Sequence, residues 1–152
     1  MNGTKDTMMD DEMDTVLRGR KLKKYTDHTF RTIREEYDLK QIEIEILFCL
    51  YKNPKATSSD VYRELSLHKG HVSMAMDDLC QKGYLQSEHD RHDRRYVNYE
   101  ITEKGKPVAE EIAAMRGEIH NKIFEGVSEE EMDILKSIMA KVSGNLDKIC
   151  ED

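Results

Sequence analysis

Apolar residues recur at helical spacing along the first part of the chain, and no proline interrupts residues 13–37. The apolar residues in this segment are Val16, Leu17, Leu22, Tyr25, Phe30, Ile33 and Tyr37. Although their spacing is irregular, such a stripe is typical of one face of an amphipathic helix. We therefore predict one long first helix over residues 13–37.

Residues 41–52 carry a pattern that fits two kinds of element. Every second residue from Ile42 to Phe48 is apolar, as in a strand. The alternative is a helical stripe formed by Ile44, Leu47, Phe48 and Tyr51. Periodicity alone leaves the two interpretations nearly even. The length of the segment, and the lack of a hairpin signal before the following Asn-Pro pair, favour a helix.

Two further helices joined by a tight turn are predicted next. Thr57 and Asp60 have the spacing of a capping box, which begins a short helix over residues 58–65. A second helix is predicted over residues 69–82, with Gly83 at its C-cap. Its inward-facing residues are predicted to be Val72, Ala75, Met76 and Leu79. Because only residues 66–68 separate the two helices, the segment is a predicted helix-turn-helix.

A wholly polar loop lies between two predicted strands. The strands cover residues 84–88 and 96–101, and the second alternates apolar and polar side chains. The loop, residues 89–95, has the sequence His-Asp-Arg-His-Asp-Arg-Arg and contains no apolar residue to pack against the body of the protein. We interpret this ribbon as a wing whose loop side chains are available to an outside partner.

Two amphipathic helices are predicted after Thr102. The apolar residues of the first are Val108, Ile112, Met115, Ile119 and Ile123, and those of the second are Met132, Leu135, Met139, Val142, Leu146 and Ile149. Ser128 is the predicted N-cap of the second helix. Its apolar stripe is as narrow as a coiled-coil seam, which predicts that a second copy of the chain covers it.

Net charge and apolar content argue against an evenly basic surface and against a membrane-spanning segment. The net charge is -7, and residues 41–106 hold 10 basic and 11 acidic residues, so any contact with nucleic acid must come from a local basic patch. The longest apolar run covers only residues 46–51, against about 20 needed for a membrane span. Residues 1–14 lack the apolar region of a secretory signal. We expect a cytoplasmic protein without a membrane partner.

No catalytic, metal or cofactor site is predicted. The chain has neither a Ser/His/Asp order nor a glycine-rich phosphate loop. The three cysteines are widely spaced and form no Cys-x-x-Cys pair, which favours three reduced thiols, with Cys80 packed inward and Cys150 more exposed. His68, His71, His89 and His92 are interpreted as residues near phosphate rather than as metal ligands.

Four short segments resemble one family in the expected order. They are Val72-Ser73, Leu79-Cys80-Gln81-Lys82-Gly83-Tyr84, Asp90-Arg91-His92-Asp93-Arg94-Arg95 and Ile101-Thr102-Glu103-Lys104-Gly105. Together they look like the recognition helix, wing and strand exit of the multiple antibiotic resistance regulator (MarR) family, and the resemblance covers about residues 13–150. It implies a homodimer with two winged helix-turn-helix lobes that bind a palindromic site on double-stranded DNA.

With this resemblance, the fold class is mainly α with a small two- to three-stranded β-wing, a winged helix-turn-helix flanked by long dimerisation helices. We expect a flexible tail over residues 1–12, an N-terminal dimerisation helix over 13–40, the DNA-binding domain over 41–106, and C-terminal dimerisation helices over 107–152. The protein is expected to be a ligand-responsive repressor. The alternatives are a winged-helix module that binds another protein and a thiol-based redox sensor.

The residues expected to contact DNA carry hydrogen-bond donors and lie on the predicted helix-turn-helix and in the loop of the wing. The predicted contact residues are Ser58, Lys69, His71, Ser73, Arg91, Arg94 and Arg95. The beginning of the second helix suits the major groove, whereas Arg94 suits the negative potential of the minor groove. Asp90 and Asp93 are expected to hold the loop arginines in place. Met74 stands where the family often has a basic residue, and Asp77 and Asp78 follow, so the base preference stays open.

Two further sets of residues are implied by the resemblance. The effector pocket, for a small aromatic or amphipathic ligand, would be lined by Phe30, Arg31, Tyr37 and Phe48, although plain core packing is the alternative for them. The dimer interface would include Leu22, Ile112, Ile119, Leu135, Met139, Val142 and Leu146.

Overall fold

The computed structural model describes residues 19–150, apart from the side chain of Arg20. The elements are α1 (Gly19–Thr29), α2 (Arg31–Tyr37), α3 (Gln41–Lys52), α4 (Ser58–Glu64), α5 (Lys69–Gln81), β1 (Leu85–His89), β2 (Val97–Ile101), α6 (Gly105–Ile123) and α7 (Glu129–Cys150). The predicted tail and the first residues of the predicted long helix, including Val16 and Leu17, lie outside the described residues. The mainly helical fold with a wing is confirmed.

The predicted long first helix is wrong in one respect, because α1 ends at Thr29 and α2 begins at Arg31. The Thr26 and Thr29 hydroxyls donate hydrogen bonds to the carbonyls four residues earlier. In addition, the Arg34 guanidinium donates to the Asp27 carbonyl at 2.7 Å. Side chains that bind helix carbonyls compete with the backbone ladder and bend helices, which accounts for the interruption at Phe30.

The ambiguous segment is a helix, α3, as the length argument favoured. Ile44, Ile46, Leu47 and Leu50 are all buried, so apolar residues occupy most sides of this helix. A helix buried on several sides has no single apolar stripe, which is why its sequence also resembled a strand. The Glu43 carboxylate accepts a hydrogen bond from the Lys40 N–H at 2.7 Å and so caps the beginning of α3.

The helix-turn-helix is confirmed. Thr57 and Asp60 form the predicted capping box, in which the Thr57 hydroxyl accepts from the Asp60 N–H and the Asp60 carboxylate accepts from the Thr57 N–H. Ser66, at φ 52°, makes the sharp turn before α5. After α5, Gly83 has a φ of 82°, which glycine adopts without strain, and the Tyr84 N–H closes the helix end on the Leu79 carbonyl.

The wing is a two-stranded antiparallel sheet that pairs Leu85 with Ile101 and His89 with Val97. Both strands begin one residue later than predicted. The exit from β2 is fixed to the end of α5, because the Thr102 hydroxyl donates to the Gly83 carbonyl at 2.6 Å. A Cβ on Gly105 would overlap the Tyr84 carbonyl oxygen, so only glycine fits at the beginning of α6.

The chain forms two compact units that divide after Gly117. The core of the first unit contains Phe30, Ile33, Ile44, Leu47, Val61, Val72, Met76, Leu79 and Ile112. In the second unit, the Ser128 hydroxyl accepts from the Glu131 N–H, and the Glu131 carboxylate accepts from the Ser128 N–H, so the predicted N-cap of α7 is confirmed. Within residues 19–150, no helix has the length and apolar content of a membrane span.

Candidate nucleic-acid interface

The exposed side chains near the beginning of α5 form the first part of the candidate interface. Val72, Ala75, Met76 and Leu79 are buried, as predicted, and they fix one side of the helix against the core. Lys69 and His71 are exposed, and Ser73 is half-buried. The rings of His68 and His71 meet edge to face at 5.9 Å between centroids. The first turns of α5 therefore present a lysine and two imidazoles to solvent.

Ser58 lies at the beginning of α4 and points toward α5 rather than outward. It is half-buried, and its hydroxyl donates to the Met76 sulfur at 3.7 Å. Because Met76 belongs to the buried side of α5, this contact joins the two helices of the helix-turn-helix. The DNA contact expected of Ser58 stays a prediction, and its hydroxyl must leave Met76 or share its proton to make it.

The loop of the wing is organised around Asp90. Its carboxylate accepts hydrogen bonds from the backbone N–H groups of His92 and Asp93, at 2.8 and 3.1 Å, and from the Asn98 amide at 3.3 Å. These donors hold the pKa of Asp90 below its usual range, led by the His92 N–H. The expectation that Asp90 holds an arginine is replaced, because its partners in the described chain are backbone groups and an amide.

Asp93 does hold an arginine. Its carboxylate accepts from the Arg95 guanidinium, with Nε at 3.0 Å and Nη2 at 2.8 Å. This pair lowers the pKa of the Asp93 carboxyl and raises that of Arg95. The Arg91 and Arg94 side chains are exposed, and the His89 ring forms a hydrogen bond with the backbone carbonyl of Arg94, at 3.0 Å. The loop shape is therefore set without the side chains of Arg91 and Arg94.

One of the acidic residues on α5 is neutralised within the chain. The Asp78 carboxylate accepts from the Lys40 ammonium at 2.7 Å, and this pair lowers the pKa of Asp78. Asp77, by contrast, is exposed. Because Asp78 is paired with a cation on another element, it contributes less repulsion toward phosphate than its sequence position suggests.

A buried ion pair that no sequence pattern indicated joins the end of α5 to α3. Glu43 is fully buried, and its carboxylate accepts from the Lys82 ammonium at 2.9 Å. Lys82 also donates to the Asp38 carbonyl, so the last turn of α5 is fixed to the junction of α2 and α3. The Lys104 ammonium in turn donates to the Lys82 carbonyl at 2.7 Å. The only sequence signal was the position of Glu43 in the first turn of a helix.

The four effector-pocket candidates do not share one cavity surface. Phe30 is fully buried, Arg31 is exposed, and the half-buried Tyr37 donates to the Glu111 carboxylate at 2.6 Å. This bond, together with burial, raises the pKa of Tyr37 to about 12. For Phe30 and Tyr37 the structure matches the packing alternative. An effector contact for the four residues stays a prediction.

Arg116, which sequence analysis did not single out, stands over two of these aromatic rings. Its guanidinium lies 5.9 Å from the Phe30 centroid and 4.2 Å from the Phe48 centroid. It also forms an ion pair with Glu45, and the Glu45 carboxylate accepts from the Gln41 amide at 2.8 Å. The Phe48 ring therefore packs against the Arg116 guanidinium and does not form an open apolar surface of a pocket.

The three thiols differ in exposure. Cys49 is buried and donates to the Glu64 carboxylate at 3.1 Å; burial is the main cause that raises its pKa to about 12. Cys80 is half-buried, and burial likewise raises its pKa. A neutral thiol is a poor nucleophile, so neither cysteine has the low pKa of a sensing thiol.

A thiol reagent at pH 8 is therefore expected to modify Cys150 well before the other two cysteines, because only Cys150 is exposed. Stopped-flow measurement of thiol release should show one fast phase, which Cys150→Ser removes. DNA affinity should not change when that single thiol is modified. A fast phase that survives in Cys150→Ser, together with a loss of DNA binding, would instead support the redox-sensor alternative.

The seven dimer-interface candidates separate into two groups. Leu22, Leu135, Met139 and Leu146 are exposed in the single chain, and Val142 is half-buried. Ile112 is fully buried and Ile119 is 8% exposed in the single chain, so little of either side chain is available to a partner, and their part in a dimer interface stays a prediction. The inner side of α6 packs within one chain, which its 3–4 spacing could not distinguish from packing between chains.

Comparison with known proteins agrees with this geometry. Residues 39–105 match the model of the winged helix DNA-binding domain. The HTH-type transcriptional regulator YwhA of Bacillus subtilis, itself uncharacterised, is 28% identical over 98 residues, which cover 64% of this chain and 70% of YwhA.

Two solved structures extend the likeness to most of the chain. A MarR protein from Peptoclostridium difficile has a TM-score of 0.72 at 22% identity, covering 97% of this chain and 93% of that one. BpsR of Bordetella bronchiseptica, whose DNA binding is regulated by 6-hydroxynicotinic acid, has a TM-score of 0.66 at 20% identity, with coverages of 87% and 98%. Residues 39–105 therefore match a winged helix DNA-binding domain, and the chain has the fold of the MarR protein, as the resemblance predicted.

Proposed function

We propose that the protein is a homodimeric, ligand-responsive repressor that binds a pseudo-palindromic operator. The observation that carries this proposal is the set of exposed cationic side chains on α5 and the wing. Lys69, Arg91 and Arg94 form no ion pair with any of residues 19–150, although the chain as a whole is acidic. Unpaired cations on one recognition surface suit a polyanion.

We expect α5 and the wing to contact different grooves of the DNA, because the two grooves present different chemical groups. A helix beginning that carries Lys69, His71 and Ser73 places donors where base edges and phosphates of the major groove lie. Arg94 stands on a loop whose shape is set by Asp90, so its guanidinium can enter the adjacent minor groove. Arg95 and Ser58 keep their proposed contacts as secondary ones, because each already has a partner within the chain.

A second copy of the chain is the proposed partner of α7. No residue of α7 is buried in the single chain, although Leu135, Met139 and Leu146 stand on its apolar side. Two copies that cover these residues would give two winged lobes. Twofold symmetry then gives a pseudo-palindromic site, and we expect its half-sites to lie about one helical turn of DNA apart. A dimer bound across two half-sites excludes other proteins from that stretch of promoter, which favours repression.

The most specific part of the proposal is that DNA binding responds to a small aromatic or amphipathic ligand. A groove of about 440 Å³ lies beside the wing, and its lining includes Leu50, Tyr51, Tyr99 and Ile101. Its volume is within the range of small-molecule sites. Because Tyr99 and Ile101 belong to β2, a ligand there would bias the position of the wing. BpsR offers a precedent for control of DNA binding by an aromatic acid.

The test is selection of fragments from genomic DNA of the source organism by the purified protein, followed by sequencing and by affinity measurements at several salt concentrations. Enrichment of a palindrome beside a gene, with affinity that falls steeply as salt rises, supports the proposal. If no fragment is enriched even at low salt, the DNA-binding proposal fails and the winged-helix module that binds a protein takes its place. If DNA binds but no metabolite tested changes its affinity, only the ligand response fails.

Arg94→Ala is expected to lower operator affinity by about 1 to 3 kcal/mol, because a minor-groove arginine loses both its phosphate attraction and its fit in the groove. Fluorescence anisotropy with a labelled operator measures this change. The matched control is Lys148→Ala, which removes one positive charge from α7 and should leave the affinity within experimental error. Equal affinities of Arg94→Ala and wild type at moderate salt would contradict the wing assignment.

A further inference from the structure

The outer side of α5 is marked by one exposed apolar residue. The buried residues Val72, Ala75, Met76 and Leu79 define the inner side. At 100° per residue, the opposite side passes through Gly70, Met74, Asp77 and Gln81. Met74 is 68% exposed and stands at the middle of this outer side. It is therefore the side chain that a winged-helix domain would carry into the centre of the groove.

The turn before Met74 leaves room around it. Gly70 precedes Met74 by four residues on the same side of the helix, and a Cβ placed on Gly70 would meet nothing within 4 Å. Long side chains on a helix lean toward the preceding turn, which here is the turn that carries Gly70. At the centre of the outer side, Met74 therefore stands beside a glycine, and the polar residues around it are Lys69, His71, Ser73 and Asp77.

The charged residues near Met74 do not account for an exposed methionine at this position. Asp77 is exposed one turn toward the end of the helix, and Asp78 is paired with Lys40 at 2.7 Å. Lys69 and His71 stand about one turn toward the beginning of the helix. A thioether neither donates a hydrogen bond nor attracts phosphate. Among the groups that bases present in the major groove, the C5-methyl of thymine is the one that an apolar side chain contacts favourably.

We propose that Met74 is a specificity-determining residue, and that its side chain contacts the C5-methyl group of a thymine in each half-site. This inference rests on the proposed function, since it requires α5 to enter the major groove. It assigns a base preference to a position at which the family resemblance offered none. The contact is an apolar one, so it should depend on the methyl group alone and only weakly on salt.

The test removes that methyl group and nothing else. A binding site is selected from random-sequence duplexes, and each thymine of a half-site is replaced singly by deoxyuridine. At one position per half-site, the wild type should lose about fourfold in affinity, as expected for the burial of one methyl group. Met74→Ala should bind the thymine and deoxyuridine duplexes equally at that position, whereas Met74→Leu should keep the preference.

Two controls separate a specific contact from a general loss of binding. Lys69→Ala should weaken both duplexes by the same factor and keep the fourfold preference, because a phosphate contact does not depend on the methyl group. Since Met74 is exposed, Met74→Ala should keep the circular dichroism spectrum and dimer mass of the wild type. If no selected thymine shows a preference that Met74→Ala abolishes, the inference is overturned while the DNA-binding function stands. If the protein selects no sequence, the proposed function fails with it.

Discussion

Replacement of Leu135 and Met139 by glutamate is expected to convert the dimer to monomers and to lower operator affinity by about 10²- to 10⁴-fold. Both residues lie on the exposed apolar side of α7, where a carboxylate in a dimer interface would be buried without a partner. Two linked lobes bind with the advantage of a high effective concentration, and a monomer loses that advantage. Sedimentation velocity measures the mass, and anisotropy measures the affinity.

The matched control introduces the same charge on the opposite side of the helix. Ser137→Glu together with Ala140→Glu adds two negative charges to exposed positions of α7 that lie off the apolar stripe. This variant should remain dimeric and should bind the operator within a few-fold of wild type. If the Leu135/Met139 variant still sediments as a dimer, α7 is not the interface and the proposed assembly must use another surface.

Lys82→Met is expected to lower the free energy of unfolding by about 3 kcal/mol, because it leaves the buried Glu43 carboxylate without its cation. Glu43 is fully buried, whereas a quarter of the Lys82 side chain is exposed, so the effect should fall at the lower end for a broken buried pair. Denaturation in urea measures it. Because Lys82 also fixes the end of α5 through the Asp38 carbonyl, operator affinity should fall as well.

Two comparisons isolate the cause of that destabilisation. Lys106→Met makes the same chemical change at an exposed ion pair with Glu103, and it should cost less than about 1 kcal/mol. Lys82→Met combined with Glu43→Met should recover part of the loss, since no unpaired buried charge remains. If Lys82→Met is as stable as Lys106→Met, the pair contributes only what a surface pair does.

Local signals predicted most of the fold. The Thr57 and Asp60 capping box, the glycine after α5 and the alternation in β2 each depend on neighbours within a few residues, and the structure confirms all three. The interruption at Phe30 was missed because it depends on how the Thr26, Thr29 and Arg34 side chains compete for backbone carbonyls. Helical periodicity carries no information about that competition.

Interactions between distant residues could not be predicted from the pattern. Lys82 and Glu43 are 39 positions apart, and Arg116 and Glu45 are 71 apart, so no spacing rule pairs them. The burial of Ile112 within the single chain was likewise not predictable from the spacing of apolar residues. A stripe of 3–4 spacing predicts that one side of a helix is covered, but it does not distinguish cover by the same chain from cover by another. The prediction that a second copy covers α7 rests on the narrowness of its apolar stripe.

In the loop of the wing, the side chains that set the backbone shape are not the ones that face outward. Asp90, Asp93 and Asn98 hold the backbone and Arg95, while the side chains of Arg91, His92 and Arg94 take no part in that framework. A mutation at one of those three outward positions therefore changes what the loop meets without changing how it folds. In evolutionary terms, operator preference can drift at little cost to stability, and a laboratory library randomised at positions 91, 92 and 94 should consist largely of folded proteins.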